Sequence, residues 1–238
     1  MDNQTKRKKS WKRLLLGMLA VLIVVALYFA NLYNIFPKPY YSAADFNIQE
    51  ISSSTDYNQN GIDDYHDFLL GARKDAENHP EYNGAYYEGG YPPSDKTGVC
   101  TDVIWRAFKE AGYNLKEMVD TDIAAHVEAY SRVAGNPDPN IDFRRVPNLK
   151  VFFEKYAVSL TTDTTQYSQW QPGDIVTYGV HHIGIVSDRR NKKGMPYLIH
   201  NAGQPRREED ALTRLKISGH YRFDASRISA NDLVPYSK

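Results

Sequence analysis

The chain has 238 residues, with 29 basic and 29 acidic side chains and a single cysteine. Six of the basic residues and one acidic residue lie within the first 13 positions, which leaves 23 basic and 28 acidic residues in the remainder. This acidic remainder argues against a nucleic-acid binder, whose surface carries a basic stripe, and a single cysteine cannot form an intramolecular disulfide.

The first two predicted segments are a basic cytoplasmic tail at residues 1 to 13 and an uncharged apolar helix at residues 14 to 33. About 20 apolar residues cross the roughly 30 Å hydrocarbon core of a membrane as a helix. The basic tail keeps the N-terminus in the cytoplasm and places the rest of the chain outside the cell. Because small residues suited to a cleavage site are poorly placed after this segment, we expect a retained signal anchor rather than a cleaved signal peptide.

Residues 34 to 55 mix proline, serine and aromatic residues without a period, which predicts an extracellular stalk. After them, residues 56 to 67 read DYNQNGIDDYHD and match a twelve-residue calcium loop of EF-hand type, with Gly61 at the sharp turn. The loop ends in aspartate and has Asp63 where an apolar residue is usual. The alternatives are a structural calcium ion that joins stalk and domain, and a plain turn before a helix. The predicted calcium ligands are Asp56, Asn58, Asn60, the carbonyl of Ile62, Asp64 and Asp67.

Residues 68 to 238 are predicted to form one domain. The cysteine of this domain is predicted to lie at the start of a helix. After Cys100, the residues Val103, Ala107 and Ala111 recur at helical spacing and predict an amphipathic helix. Unpaired backbone N–H groups and the positive end of the helix dipole favour a thiolate at such a position. The cysteine is therefore a candidate nucleophile, and the alternatives are a buried apolar residue and a disulfide between two chains.

A second helix is predicted at residues 148 to 156, followed by three short apolar runs, DIVTYGV, HHIGIVS and PYLIHNA, that predict strands. Alternation places His182 and Gly184 on the same face of the second strand. If that face meets the cysteine helix, Gly184 lets the helix approach and His182 points at the thiol. On the next strand, His200 is placed to hydrogen-bond the far nitrogen of His182 and so fix its tautomer.

Six segments in order together resemble the bacterial domain of unknown function 1287 family, which belongs with the NlpC-type, papain-like cysteine peptidases and amidases. They are GVCTDVIWRAF, DPNIDFRRVPNL, WQPGDIVTY, HHIGIVSDR, LIHNAG and ISGHYRF. The resemblance implies an α+β, papain-like NlpC-type fold with a central antiparallel sheet packed on the cysteine-bearing helix. It makes Cys100 the nucleophile, His182 the base and His200 the orienting residue. His181 is the alternative base, and Asn201 is the alternative third residue.

The function implied by this resemblance is a membrane-anchored extracellular cysteine amidase or peptidase that hydrolyses amide bonds in the stem peptides of peptidoglycan. In such a reaction Cys100 attacks the carbonyl and His182 protonates the leaving amine, so no cofactor is expected for catalysis. The alternative function is a non-catalytic module of the same fold that binds the cell wall or a partner protein.

Four further residues are predicted to bind the substrate. Asp102, in the first turn of the cysteine helix, is suited to a substrate amine, and its alternative role is helix capping. Arg144 and Arg145 are suited to a bidentate contact with a substrate carboxylate, and their alternative is an ordinary ion pair in a loop. Trp170 either lines a groove or packs in the core. We expect His220 to be structural rather than catalytic.

Overall fold

The computed structural model describes residues 3 to 237, and the chain divides into two compact units. The first unit ends at Lys38 and the second begins at Pro39. Helix α1 (Asn3–Leu32) lies in the first unit. Its segment Trp11–Leu32 is long and apolar enough to span a membrane or to act as a signal anchor. An N-terminal apolar helix of spanning length is therefore confirmed.

Among the residues that the structure describes, the second unit contains four α-helices and eight strands. The helices are α2 (Asp64–Asn78), α3 (Cys100–Glu110), α4 (Leu115–Ala125) and α5 (Val146–Tyr156). The strands are β1 (Glu81–Tyr82), β2 (Thr97–Gly98), β3 (Val158–Ser159), β4 (Ile175–Tyr178), β5 (His182–Arg190), β6 (Pro196–Ile199), β7 (Glu208–Glu209) and β8 (Gly219–Arg222). The helix that starts at Cys100, the helix near residues 148 to 156 and the three predicted strands are confirmed.

Six of the strands form one antiparallel sheet in the order β3-β8-β4-β5-β6-β7, and β1 and β2 pair in parallel beside it. Each face of this sheet carries an apolar layer. Ile183 and Ile185 of β5 pack with α2 and α3, whereas Val186 and Leu198 pack on the opposite face. The predicted α+β class, with an antiparallel sheet packed on the cysteine-bearing helix, is confirmed.

Helix α3 begins at Cys100 because neighbouring groups bond the N–H groups at its start. Val99 N donates to Asp102 Oδ2 at 2.7 Å, and Asp102 N donates to Val99 O at 3.0 Å. The first of these bonds is the half of a capping box that the third helical residue supplies, and the second is an ordinary turn bond between main-chain groups. Apolar residues three and four positions apart then hold the helix against α2 and the sheet, since the buried face needs that spacing. They are Val103, Ile104, Ala107 and Phe108.

The predicted stalk at residues 34 to 55 is wrong from Pro39 onward, because this segment is part of the second unit. Tyr41 N donates to Arg190 O at 2.8 Å, and Arg190 N donates to Tyr41 O at 2.7 Å. These two bonds form a short antiparallel bridge at the end of β5. Ala43, two residues later, is 2% exposed. The segment is therefore an ordered edge of the domain.

A buried ion cluster joins the start of β4 to β8. Asp174 accepts hydrogen bonds from His220 Nε2 at 2.9 Å and from Arg222 Nε and Nη2 at 2.7 Å each. The other ring nitrogen of His220 lies 2.7 Å from Thr161 O, and the ring stacks on Trp170 with a centroid distance of 3.9 Å. These contacts agree with the structural role expected for His220.

Candidate active site

The thiol of Cys100 stands at the first residue of α3 and is buried, with 5% of the residue exposed. Main-chain N–H groups of Ile183, Thr101 and Cys100 point towards the sulfur and stabilise its charged form. Removal from water has the larger, opposite effect, so burial raises the pKa of the Cys100 thiol to about 11. The expected thiolate at the helix N-terminus is therefore wrong for this structure, because the thiol is protonated at neutral pH.

A chain of hydrogen bonds starts at the first residue of β5. His182 Nε2 lies 2.8 Å from His200 Nδ1, and His200 Nε2 lies 3.2 Å from Glu209 Oε1. Arg214 binds both carboxylate oxygens of Glu209, at 2.6 and 2.9 Å. A chain of hydrogen bonds therefore runs from His182 through His200 and Glu209 to Arg214.

Burial keeps both imidazoles of this chain neutral. Removal from water lowers the pKa of His182 to about 3, and the neighbouring His200 and Arg214 act in the same direction. Removal from water also lowers the pKa of His200, and Glu209 opposes this effect. A neutral imidazole has one N–H donor and one acceptor nitrogen. The tautomers of His182 and His200 are therefore defined by which nitrogen carries the proton in each ring.

The alternative base, His181, and the alternative third residue, Asn201, lie in different surroundings. His181 is exposed in the turn between β4 and β5. Asn201 is buried, and its Nδ2 donates to Gly98 O at 3.0 Å while its Oδ1 accepts from Gly203 N at 3.0 Å. Asn201 therefore holds β2 just before the cysteine, and His200 is the residue that contacts His182.

Gly184 provides room for β6 rather than for the cysteine helix. A Cβ atom at Gly184 would lie 2.8 Å from Ile199 O and 3.1 Å from the Cβ of His200. Its neighbours Ile183 and Ile185 pack with α3, so Gly184 lies on the opposite face of the strand. The expected close approach of Gly184 to α3 is therefore wrong. The glycine instead allows His200 to lie against β5, beside His182.

The thiol approaches β5 at the main chain of the residue that follows His182. The N–H of Ile183 points at the sulfur. Among the described residues, the Cys100 thiol and the His182 ring form no direct hydrogen bond, and His182 uses Nε2 for His200. Its remaining nitrogen, Nδ1, is the ring nitrogen nearer to the main chain. Proton transfer from the thiol to Nδ1 therefore has to bring these two atoms within hydrogen-bond distance.

Asp102 and Arg144 were predicted to bind substrate, but they bind each other in the interior. Arg144 Nε and Nη2 donate to the two carboxylate oxygens of Asp102 at 2.9 Å each. Trp105 Nε1 and Val99 N also donate to this carboxylate, both at 2.7 Å. Both ionic side chains are buried. The predicted substrate contacts are therefore wrong for these two residues, since the chain itself supplies their partners.

The other two predicted substrate-binding residues differ in exposure. Trp170 is fully buried, and its Nε1 donates to Asp163 O at 3.1 Å. It packs in the core, and its predicted place in a groove is wrong. Arg145 donates to Asp142 Oδ1 at 2.9 Å and remains partly exposed. Its contact with a substrate carboxylate stays a prediction.

An exposed tyrosine beside the thiol was missed by sequence reasoning. Tyr82 is 51% exposed and pairs with Gly98, two residues before the cysteine. Burial raises the pKa of Tyr82, and the nearby Cys100 adds to this effect. The sequence around Tyr82 is loop-like, and Glu209 lies in a strand of two residues. Such short elements carry no periodic signal, so only the folded chain places these side chains at the site.

The predicted calcium loop is closed by its own hydrogen bonds. Asp56 accepts from the main-chain N–H of Asn60 at 3.1 Å. Amide nitrogens of Asn58 and Asn60 donate to Asp67 at 2.8 and 3.1 Å, whereas a calcium ligand must present oxygen. Asp64 accepts from the main-chain N–H of Tyr57 at 2.9 Å and from the Tyr113 hydroxyl at 2.6 Å. In the described part of the chain, no group of three or more acidic, histidine or cysteine side chains is arranged to hold a metal. The calcium site therefore remains a prediction.

A cavity of about 760 Å³ opens between α2 and α3. Its lining includes Lys74, Asp75, Arg106, Lys109 and Tyr236, but neither the cysteine nor the two bonded histidines. The cavity is thus separate from the candidate active site, whose thiol is buried.

Two comparisons with known proteins found similar sequences. A family model described as "Domain of unknown function (DUF1287)" matches residues 69–223. The "Uncharacterized protein YijF" of Escherichia coli (strain K12) is 38% identical over 162 residues, which cover 64% of this chain and 78% of that protein. No solved structure matches the chain. The matched family region contains the cysteine, both bonded histidines and Glu209, and it begins after the predicted calcium loop.

The buried thiol predicts a specific pH dependence. Because the thiolate is the reactive form and its pKa is about 11, the alkylation rate of Cys100 by iodoacetamide should rise about tenfold per pH unit from about pH 7 to about pH 10. Mass spectrometry of the folded protein measures this rate, and Cys100→Ala is the control for labelling elsewhere. A profile that levels off below about pH 8 would contradict the neutral thiol.

The calcium prediction has a thermal test. If the loop binds calcium, the ion should increase the free energy of unfolding by about 2.7 kcal/mol at one hundred times its dissociation constant. Asp56→Asn should abolish the shift in the melting temperature. Asp163→Asn is a control, since Asp163 is an exposed aspartate that, like Asp56, accepts a main-chain N–H within its own turn. An equal shift in both variants, or the same shift with magnesium, would exclude a specific calcium site.

Proposed function

We propose that this chain, which belongs to the domain of unknown function 1287 family, is a membrane-tethered cysteine hydrolase that cleaves amide bonds. One observation carries the proposal. The cysteine at the start of α3 approaches β5 at Ile183, directly after His182, and His182 is bonded to His200. A nucleophile, a base and an orienting residue at neighbouring positions are the parts that such a hydrolase requires. We further propose that the domain has the papain-like NlpC-type fold.

The reaction proceeds by acyl transfer to water. Sγ of Cys100 attacks the amide carbonyl carbon while His182 Nδ1 accepts the thiol proton. The carbon–nitrogen bond then breaks as His182 returns this proton to the leaving amine. Water attacks the resulting thioester, and Nδ1 accepts a proton from the water. The carbon–sulfur bond breaks, and the proton returns to sulfur, so the free enzyme is restored.

The neutral resting state is compatible with this sequence of steps. At neutral pH the thiol retains its proton, and His182 is uncharged and able to accept it. The charged pair forms only when the sulfur attacks, so His182 acts as a general base. The main-chain N–H of Cys100, at the start of α3, is a donor for the developing oxyanion.

Stem peptides of peptidoglycan are the proposed substrate class. Two arguments support them, namely the resemblance to cell-wall amidases and the apolar N-terminal helix preceded by a basic tail. By the positive-inside rule this tail holds the domain on the outer side of the membrane, where the cell wall lies. The proposed partner is therefore a wall peptide, and no cofactor takes part in the chemistry.

The buried thiol favours a second candidate function. Cys100 is 5% exposed and has no direct bond to His182 in the described structure. A non-catalytic module that binds wall fragments would keep the same fold with an inert thiol. Turnover distinguishes the two candidates, because a binding module yields no cleaved product.

The pair of adjacent histidines provides a matched test. His182→Ala should lower the turnover of purified stem peptides about a hundredfold or more, because it removes the general base. His181→Ala should retain turnover, because His181 is exposed in the turn. Products are quantified by mass spectrometry, and thermal unfolding checks that both variants fold. Equal turnover by the two variants would refute the assignment of His182 as the base.

A further inference from the structure

We propose that Glu209 is a positioning residue, which orders the protons of His200 and His182 so that Nδ1 of His182 is the free base. This inference rests on the proposed function, since it assigns how its base is prepared. The family resemblance implies roles only up to His200, and Glu209 lies beyond the residues that it assigns.

The chain has a fixed direction because one end is a carboxylate. Glu209 is 1% exposed and is bound by both Nη atoms of Arg214, which keeps it paired as an anion. An ionised carboxylate accepts hydrogen bonds and donates none. The nitrogen that faces Glu209, Nε2 of His200, must therefore carry the proton of that ring.

The same pairing of donors with acceptors determines which nitrogen of His182 carries the proton. With its proton on Nε2, neutral His200 has Nδ1 as its acceptor. The nitrogen of His182 at 2.8 Å from this acceptor is Nε2, so the proton of His182 lies on Nε2. Nδ1 of His182 is left with a free lone pair. This is the nitrogen that must accept the thiol proton of Cys100.

Gln204 is the neighbour that could reverse this order. Its Nε2 lies 3.2 Å from His200 Nε2 and would act as a donor to an unprotonated nitrogen. The same nitrogen donates one N–H to His200 O at 3.0 Å, and its second N–H is the one that faces the ring. A bond from His200 to a carboxylate is charge-assisted and stronger than a bond between neutral groups. The contact with Glu209 therefore determines the tautomer.

The other groups around the pair are consistent with neutral rings. Arg214 and Arg207 face His200 with positive charge, and both oppose its protonation. The ring of Tyr178 packs beside His182 with a centroid distance of 5.9 Å. No carboxylate other than Glu209 forms an ion pair with either ring in the described residues. Glu209 is therefore the carboxylate that sets the proton order.

Direct observation of the tautomers tests the inference on the full chain. In protein labelled with ¹⁵N-histidine and held in detergent micelles, two-bond ¹⁵N–¹H correlations identify the protonated nitrogen of each neutral ring. We expect the proton on Nε2 of both His182 and His200. A proton on Nδ1 of His200 in the unmodified protein would overturn the inference, whether or not any variant folds.

A pair of adjacent glutamates provides the variant and its control. Glu209→Gln replaces the carboxylate with an amide that can donate, so His200 should lose its single tautomer. Glu208→Gln should leave both rings unchanged, because Glu208 binds Arg73 and Arg189 instead. On stem peptides, Glu209→Gln should lower kcat roughly tenfold to hundredfold with little change in KM, the range for residues that orient a functional histidine. Unchanged tautomers in folded Glu209→Gln would also overturn the inference.

The outcomes separate this inference from the proposed function. Tautomers as expected, with no hydrolysis of stem peptides by the unmodified protein, would refute the function and leave the proton order intact. Hydrolysis that depends on His182 but is insensitive to Glu209→Gln would retain the function and refute the positioning role.

Discussion

The contact between the start of α3 and the first residues of β5 is the constraint on which the site depends. The N–H of Ile183 points at the sulfur of Cys100, and this strand position also fixes where His182 stands. Asn201 supports the contact from the neighbouring strand by bonding to Gly98 O. A shift of β5 by one residue would move every side chain to the opposite face and separate His182 from His200.

Burial keeps the titratable side chains of the site neutral in the resting state. It also permits a single order of protons along the hydrogen-bond chain. A thiol and two imidazoles removed from water are all neutral, since charged forms are penalised there. The fixed charges are Glu209 and Arg214, which neutralise each other at the far end of the hydrogen-bond chain. A neutral chain with one anionic acceptor can have a single proton order, whereas a chain open to water would exchange its tautomers freely.

The sequence predicted the parts of the site that lie in periodic elements. Helical spacing after Cys100 located α3, and strand alternation placed His182 and Gly184 on one face of β5. The sequence did not predict the side-chain positions that depend on contacts between residues far apart in the chain. Arg144 forms an ion pair with Asp102, which is distant in the sequence. The positive charge that was expected to bind a substrate carboxylate is therefore buried within the fold. Glu209 was missed because two-residue strands give no pattern.

The most direct measurement of the central claim is intact-protein mass spectrometry of acid-quenched reactions with peptidoglycan stem peptides. If Cys100 is the nucleophile, the unmodified protein should carry an acyl group as a thioester on this residue. The adduct should be absent from Cys100→Ala, and hydrolysis should cease with it. Stem-peptide hydrolysis that persists in folded Cys100→Ala, or an acyl group attached to another residue, would contradict the account.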